Sequence, residues 1–586
     1  MPRTVSRLAL TLLLALTLTA AAQAPAPTEP PTPVAIHVDL AHSLGPYRPI
    51  GTFFGYDESN YTTTPHGRLL LRELHDLAPT PIYVRAHHLF TSGDGVPALK
   101  WSSSNVFTLD AQGRPVYDFT ILDKIFDAYR DAGVRPMVEL GFMPKDLATG
   151  TMPYYQPYPN TVKGSVQSPP KDYKLWEDLC FHFTQHLVAR YGRAAVATWY
   201  FEVWNEPDIG YWQGTPADYL KLYDYSVAGV RRALPTAIVG GPAVTGPGSE
   251  RAISFLNNFF KHCAEDKNAA TGAPIPLDFV TFHPKGSPRL IDGHVRMGIS
   301  NELNAAASGF RTVAANPRYH NLPIILSEAD PEGCAACSAK ENHANAYRNG
   351  PIYPTYTAVA MKALLDLAAA SHVNLVGMVT WAFEFEDKQY FEGFRTLATN
   401  GVDKPVLNIF RMAGLLSGDR VAATSTASIP AEDIVKHGVH PAPDATTPPA
   451  NRAASSPTTG PTPAFDIDAI ATKSTHEAAV MLWNYSDDDL PAPSAPVTVT
   501  IDGIPATVHR VRLEHFRIDD THSNAYTAWL ALGSPQSPTP EQYSQLKAAG
   551  QLQTLTSPQW LDVTAGSITL PTDLPRQATS LLHLEW

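Results

Sequence analysis

The sequence predicts an α/β protein: a (β/α)8 TIM barrel carrying an accessory antiparallel β-sandwich domain. Three observations predict it. Between residues 48 and 416, eight short apolar runs alternate with stretches of 3.6-residue periodicity, the pattern of a parallel sheet wrapped by helices. No Gly-x-Gly-x-x-Gly follows any of those runs, which disfavours an open dinucleotide-binding sheet. From residue 417 onward the pattern changes to β-like runs separated by turn residues, as in a sandwich.

The first 22 residues read as a secretory signal peptide: Arg3 and Arg7, an apolar run over 8–19, then Ala20-Ala21-Ala22. That run is shorter than the roughly 20 residues that span a bilayer. Residues 23–33 form a proline-rich leader, and 34–47 are expected to supply a strand joining the sandwich. Barrel strands are expected at 49–55, 82–86, 135–142, 198–204, 237–241, 277–283, 323–328 and 375–383. Helical periodicity marks 69–77, 121–132, 173–191, 219–234, 253–263 and 355–370 between them. The sandwich, 417–586, has β-runs at 477–485, 496–501, 507–516, 567–570 and 580–584, and a flexible Pro/Ala/Ser/Thr-rich insertion at 437–464.

Composition narrows the function. Charged residues make up 17% of the chain, against about 25% in soluble proteins, and 53 of the 586 residues are proline. The formal net charge is −12, with no basic run longer than Arg231-Arg232, so a nucleic-acid partner is not expected. No membrane span is expected either: the apolar stretch 359–383 is broken by Lys362, Asp366 and His372. The chain is expected to be exported, to the periplasm or beyond, where disulfides persist. Of four cysteines, Cys180 and Cys263 fall on apolar helical stripes and read as buried thiols. Cys334 and Cys337 read as a loop-bracing disulfide; a zinc site would need two more ligands that the neighbourhood lacks. No cofactor and no metal are expected.

Barrel chemistry sits where strands end. The fourth expected strand closes as Trp204-Asn205-Glu206-Pro207 and the seventh as Leu326-Ser327-Glu328-Ala329-Asp330. A carboxylate beyond an apolar strand is unfavourable unless it is paired or functional. Two of them facing one mouth are what glycoside hydrolysis requires, an acid for the leaving oxygen and a carboxylate for the anomeric carbon.

These motifs resemble the retaining barrel glycosidases, and more narrowly glycoside hydrolase family 39, the family of β-xylosidases and α-L-iduronidase. Glu139 to Pro144, Phe201 to Asp208, Leu277-Asp278-Phe279 leading to His283, and Ile518 to Tyr526 carry the resemblance. It implies Glu206 as acid/base, Glu328 as nucleophile, and Asn205 as a hydrogen-bond partner of the sugar 2-hydroxyl. His87 and His283, at strand ends, are expected to orient hydroxyls or Glu328. Trp381 and Phe383 are expected to form an apolar wall for a sugar face, with a hydroxyl held by one of Glu384, Glu386 and Asp387.

The partner is expected to be a carbohydrate. His283-Pro284-Lys285-Gly286, Gly333 and Arg395 resemble the iduronidase pattern, in which such positions hold a substrate carboxylate. The stretch 385–394 and the cysteine loop resemble bacterial β-xylosidases more, and Lys285 and Arg395 could instead pair with Asp387 or Glu392. Neutral xylose, released from the non-reducing ends of xylo-oligosaccharides, is the favoured expectation. The alternatives are a uronic-acid glycosidase, an endo-acting exopolysaccharide glycosidase and a non-catalytic carbohydrate-binding barrel.

Overall fold

The structure, a computed structural model, describes residues 33–150, 165–440 and 464–586. The expected signal peptide, the leader up to Thr32 and most of the 437–464 insertion lie outside the described residues.

Eight parallel strands close into a barrel in chain order: Phe53–Tyr56, Tyr83–Ala86, Arg135–Leu140, Tyr200–Val203, Ile238–Thr245, Phe279–His283, Pro323–Leu326 and Asn374–Trp381. They are the first to eighth barrel strands below. Thr380 of the eighth pairs with Phe54 of the first, closing the ring. All eight lie where the alternation predicts them, with ends shifted by a few residues. A helix follows each: Pro65–His75, Thr120–Ala132, Tyr173–Tyr191, Pro216–Ala233, Glu250–Glu265, Ile299–Ala314, Ile352–Ala370 and Pro405–Gly414. The sixth and eighth helices are additions to the six that periodicity names.

Side chains two apart on a strand share a face, and this period layers the barrel interior. Phe53, Met137, Phe279, Ile325 and Val379 form an apolar floor with Tyr83 and Tyr200 packed against it. One pleat higher on the second, third and fourth strands stand Arg85, Glu139 and Glu202, all fully buried. Toward the mouth, two pleats above Tyr83 and Phe279, stand His87 and His283, and Ser327 stands one pleat above Ile325. The fourth strand is anchored by the helix after it, which starts with a capping box between Thr215 and Asp218. Tyr219 of that helix donates from its hydroxyl to the Val203 carbonyl at 3.0 Å.

The accessory domain is a single curled sheet of ten strands. Val34–Pro46 belongs to it, as expected, antiparallel to Asp419–Ser425 and parallel to Ala495–Asp502. The sheet is therefore mixed, a correction to the wholly antiparallel expectation. Antiparallel order follows from hairpins, whereas this strand precedes the barrel in the chain and its partners follow the barrel, so no tight turn sets its direction. Val34, Ile36, Val38 and Leu40 alternate into a core with Val497, Val499 and Ile501. Asp419–Ser425 and Asp466–Lys473 add strands beyond those read from the sequence, and two helices, Ala525–Ala531 and Pro540–Gly550, interrupt the sheet. These helices lean on the barrel: the Trp529 ring lies 5.2 Å from that of Phe391, and Lys547 donates to the Gly401 carbonyl at 2.7 Å. Among the described residues no helix is long and apolar enough to cross a membrane.

Candidate active site

Glu206 follows the fourth strand through a tight turn. Trp204 and Glu206 both have left-handed backbones, with φ of 69° and 45°, strain of about 1–3 kcal/mol each that persists where surrounding structure enforces it. Here the Glu206 amide donates to the Ala243 carbonyl at 2.9 Å, and the Trp204 indole donates to the Tyr211 carbonyl at 2.9 Å. The turn aims the Glu206 side chain, 13% exposed, into the barrel mouth.

Glu328 follows the seventh strand and faces it. One oxygen of Glu206 and one of Glu328 lie within 4.8 Å of each other, and a His283 nitrogen lies within that distance of both. Oxygens this close are consistent with the short spacing of a retaining pair, about 5–5.5 Å between carboxyl groups, rather than the roughly 6.5–9.5 Å of an inverting one. These three are the one group of His, Cys, Asp and Glu, among the described residues, close enough to share a metal ion. Lys285, 2.8 Å from Glu328, already supplies positive charge there.

Glu328 is held by cations on both oxygens. Oε2 meets Lys285 Nζ at 2.8 Å, and Oε1 meets Arg85 Nη1 at 3.2 Å and His87 Nε2 at 3.4 Å. Burial alone would raise its pKa; the positive charges beside it, Lys285 foremost, more than offset burial and hold it well below the usual carboxylate range. Arg85 also binds Glu202 at 2.5 Å and Glu139 at 3.0 Å, and donates to Asn205 Oδ1 at 3.0 Å. One buried guanidinium thus joins the second, third, fourth and seventh strands.

His87 and His283 differ in their partners. His87 has Nδ1 2.6 Å from Asp57 and Nε2 2.9 Å from Glu139. Burial would favour the neutral ring, but Glu139 and Asp57 raise its pKa well above the usual value. His283 faces Glu206, with Nδ1 2.9 Å from Oε1, while Glu328 is 3.8 Å away. Its Nε2 lies 3.0 Å from Ser327 Oγ.

Other expectations need correction. Phe383 stacks on Tyr56 at 4.3 Å and is 1% exposed, and Trp381 packs against His87 at 4.4 Å with Arg85 over its ring. Both rings belong to the packed barrel wall, and Phe383 presents no free face to a sugar. Lys285 and Arg395 do not pair with Asp387 or Glu392. Lys285 Nζ lies 2.9 Å from Asp330, and Arg395 binds Asp330 at 2.5 Å and Glu332 at 2.7 Å. Of the three acids in the eighth-strand loop, Glu384 accepts from the Gly401 amide at 2.5 Å and Glu386 from the His66 amide at 2.6 Å. Asp387 is exposed, with a left-handed φ of 63°, and is the one turned outward.

The Cys334–Cys337 disulfide is formed, and Cys180 and Cys263 are buried free thiols. The disulfide borders a cavity of about 610 Å3 together with Pro288, Glu332, Gly333 and Asn345, in the loops after the sixth and seventh strands. Arg85, Glu139, Glu202, Asp57 and Asp330 are site residues without an assigned role in the sequence reading. Their signal is a charged residue inside an apolar run, as in Tyr83-Val84-Arg85-Ala86 and Tyr200-Phe201-Glu202-Val203.

The chain is 24% identical over 517 residues to a β-xylosidase of Geobacillus stearothermophilus, covering 86% of each protein. It is 26% identical over 484 residues to the α-L-iduronidase of Homo sapiens, covering 77% of this chain and 64% of that protein. The crystal structure of a monomeric β-xylosidase from Caulobacter crescentus CB15 superposes with a TM-score of 0.70 at 21% identity, over 94% of this chain and 99% of that one. With two strand-end carboxylates at retaining distance in a closed barrel, and with the family model for glycosyl hydrolases family 39 matching residues 83–560, the chain belongs to that family.

Proposed function

We propose that this retaining glycosidase is an exo-acting β-xylosidase that works by double displacement, with Glu206 as acid/base and Glu328 as nucleophile. Glu328 attacks the anomeric carbon while Glu206 gives its proton to the departing glycosidic oxygen, leaving a glycosyl ester on Glu328. Glu206, now a carboxylate, takes a proton from water, whose oxygen displaces Glu328. Lys285, Arg85 and His87 keep Glu328 anionic for the attack.

The observation that carries the sugar assignment is the commitment of the cations. Lys285, Arg395 and Arg348 are matched by Glu328, Asp330 and Glu332 at 2.5–2.9 Å. A uronate would bring a further anion against Glu328, Asp330 and Glu332, which already neutralise these cations, and like charges at one site repel. A neutral pentose meets no such barrier. The β-xylosidase relative agrees with this reading. A uronic-acid substrate stays as the second reading because Lys285 keeps 17% of its side chain exposed beside Glu328. Export by residues 1–22 is part of the proposal.

The test is a parallel assay of nitrophenyl β-xyloside, α-iduronide and β-glucoside. Turnover of the xyloside well above the other two is expected; a lower value for the xyloside than for the iduronide sinks the assignment.

A further inference from the structure

His283 is clamped on both ring nitrogens, and its second partner has no place in the mechanism so far. Nδ1 lies 2.9 Å from Oε1 of Glu206 and Nε2 lies 3.0 Å from Oγ of Ser327. Both His283 and Ser327 are fully buried.

A neutral imidazole carries one N–H, so each nitrogen has a fixed role once the other's is set. If Nε2 carried the proton, Nδ1 would present a lone pair to Glu206. An ionised Glu206 would then face that lone pair at 2.9 Å, and a protonated one would aim its proton at the histidine, away from the glycosidic oxygen. With the proton on Nδ1 both difficulties vanish. Nδ1–H donates to Oε1, so the acid's own proton must reside on Oε2, and the same bond stabilises the carboxylate of the second step. This tautomer needs a donor at Nε2, and Ser327 O–H is placed to be that donor. We propose that Ser327 is a positioning residue: by donating to Nε2 of His283 it fixes the Nδ1–H tautomer, which dictates that Oε2 of Glu206 carries the proton given to the leaving group.

The other charged groups facing this triad do not take over that task. Glu328 lies 3.8 Å from Nδ1, farther than Glu206, and is itself occupied by Lys285, Arg85 and His87. Asp208, beyond Glu206 on the fourth-strand loop, is bound to Thr245 at 2.5 Å and to Arg251 at 3.3 Å.

The proposal rests on Glu206 as acid/base, and its test separates the two. In the full-length protein with 15N-labelled histidine, the His283 signal, assigned by its loss in His283→Gln, should report Nδ1 protonated. Ser327→Ala should shift that signal toward the Nε2–H form or a mixture, and Ser327→Thr, which keeps the hydroxyl, should preserve it. In kinetics, Ser327→Ala should lower kcat/KM on β-1,4-xylobiose by about tenfold or more, a share of the ~10²–10⁴ a positioned proton donor supplies. The same variant should change kcat/KM on 2,4-dinitrophenyl β-xyloside by about twofold or less, because that leaving group departs unprotonated. A His283 signal already in the Nε2–H form, or unmoved in Ser327→Ala, overturns the proposal without any reference to substrate. Equal losses on the two substrates overturn it as well. If Glu206→Ala itself shows no dependence on the leaving group, the acid/base reading fails instead.

Discussion

The Lys285 ammonium lies 2.8 Å from Oε2 of Glu328, so a residue whose pattern resembles a substrate-carboxylate holder touches the proposed nucleophile directly. Lys285 and Glu328 form an ion pair at the mouth, and Asp330 at 2.9 Å fixes the lysine from behind. Burial would lower the lysine's pKa, yet Asp330 and Glu328 raise it above its usual value, so the pair stays charged.

Replacing Lys285 with Met should therefore impair xyloside turnover as well as any reaction of a uronide. Glu328 is depressed because Lys285 outweighs part of its desolvation; removing the lysine raises it. The acid limb of kcat/KM, which reports ionisation of this carboxylate, should move to higher pH, toward or beyond the ordinary glutamate value of about 4.3. The same sign holds for stability: a depressed carboxylate stabilises the fold above its unfolded pKa and loses that contribution as pH falls through the folded one. The variant should thus lose less stability on acidification than the parent. A pH–rate profile from about 3 to 7 with thermal melts across that range checks both; an acid limb that stays in place refutes the role of Lys285.

Glu328→Ala should lose at least about 10⁴ in kcat, as removal of a covalent nucleophile does. Azide should restore turnover of an activated aryl glycoside and yield a glycosyl azide of inverted configuration. Glu206→Ala with azide should give the azide of retained configuration, because the anion then occupies the side vacated by the acid/base. Proton NMR of the two products distinguishes the roles, and the opposite pairing would exchange them.

The parts of this site that are legible in sequence are those in which one residue contrasts with its own neighbours. Glu206 and Glu328 stand out because each ends an apolar strand, and the eight strands stand out because alternation needs only local pattern. Arg85 is different. Its partners Glu139, Glu202 and Glu328 lie on three other strands, and nothing local shows that one guanidinium serves all three. Phe383 is hard to read for another reason: it would look the same under a sugar as it does against Tyr56. Lys285 and Arg395 are legible as cations at the mouth, but their partner Asp330 sits in the same loop as Glu328, where it draws no notice beside it.

The disulfide and Arg348 brace the same loop unequally. Cys334 and Cys337 are three residues apart, and closing so short a loop restricts the unfolded chain by only about 2 kcal/mol. Arg348 is fully buried, donates to the carbonyls of Cys334 at 2.8 Å, of Cys337, and of Gly393 at 3.0 Å, and pairs with Glu332 at 2.8 Å. Removing it strands those acceptors and one carboxylate, a loss of about 3–5 kcal/mol. The double variant Cys334→Ala/Cys337→Ala should melt within a few degrees of the parent and keep its turnover, whereas Arg348→Ala should melt far lower. Calorimetry of the two decides; equal losses would mean the disulfide contributes more than loop closure.

Trp529 tests whether the accessory domain serves the active site. Its ring packs at 5.2 Å on Phe391, in the loop after the eighth barrel strand that also carries Asp387. The helices around it hold the loop further: Tyr390 and Gln536 exchange hydrogen bonds of 2.8 and 3.3 Å, and Lys547 donates to the Gly401 carbonyl. Gly401 has φ of 75°, a conformation suited to glycine, and its amide anchors Glu384. Burial pushes the pKa of Glu384 up to about 8, so near neutrality this anchor carries a proton and adds little charge to the loop. Glu206 and Glu328, by contrast, are held from the second strand, the sixth strand and the loop after the sixth by Arg85, His283 and Lys285, which the loop meets at one remove, through Arg395 on Asp330. Trp529→Ala should therefore loosen the loop, by about 3 kcal/mol for loss of a nearly buried indole, and leave the catalytic pair in place. KM for a xyloside should rise several-fold while kcat stays within about twofold, the signature of lost binding common to ground and transition states. Limited proteolysis should cut first between 384 and 401. If kcat falls while KM holds, the loop acts on the chemistry rather than on substrate binding, and the domain's role must be sought in the position of Glu206 and Glu328.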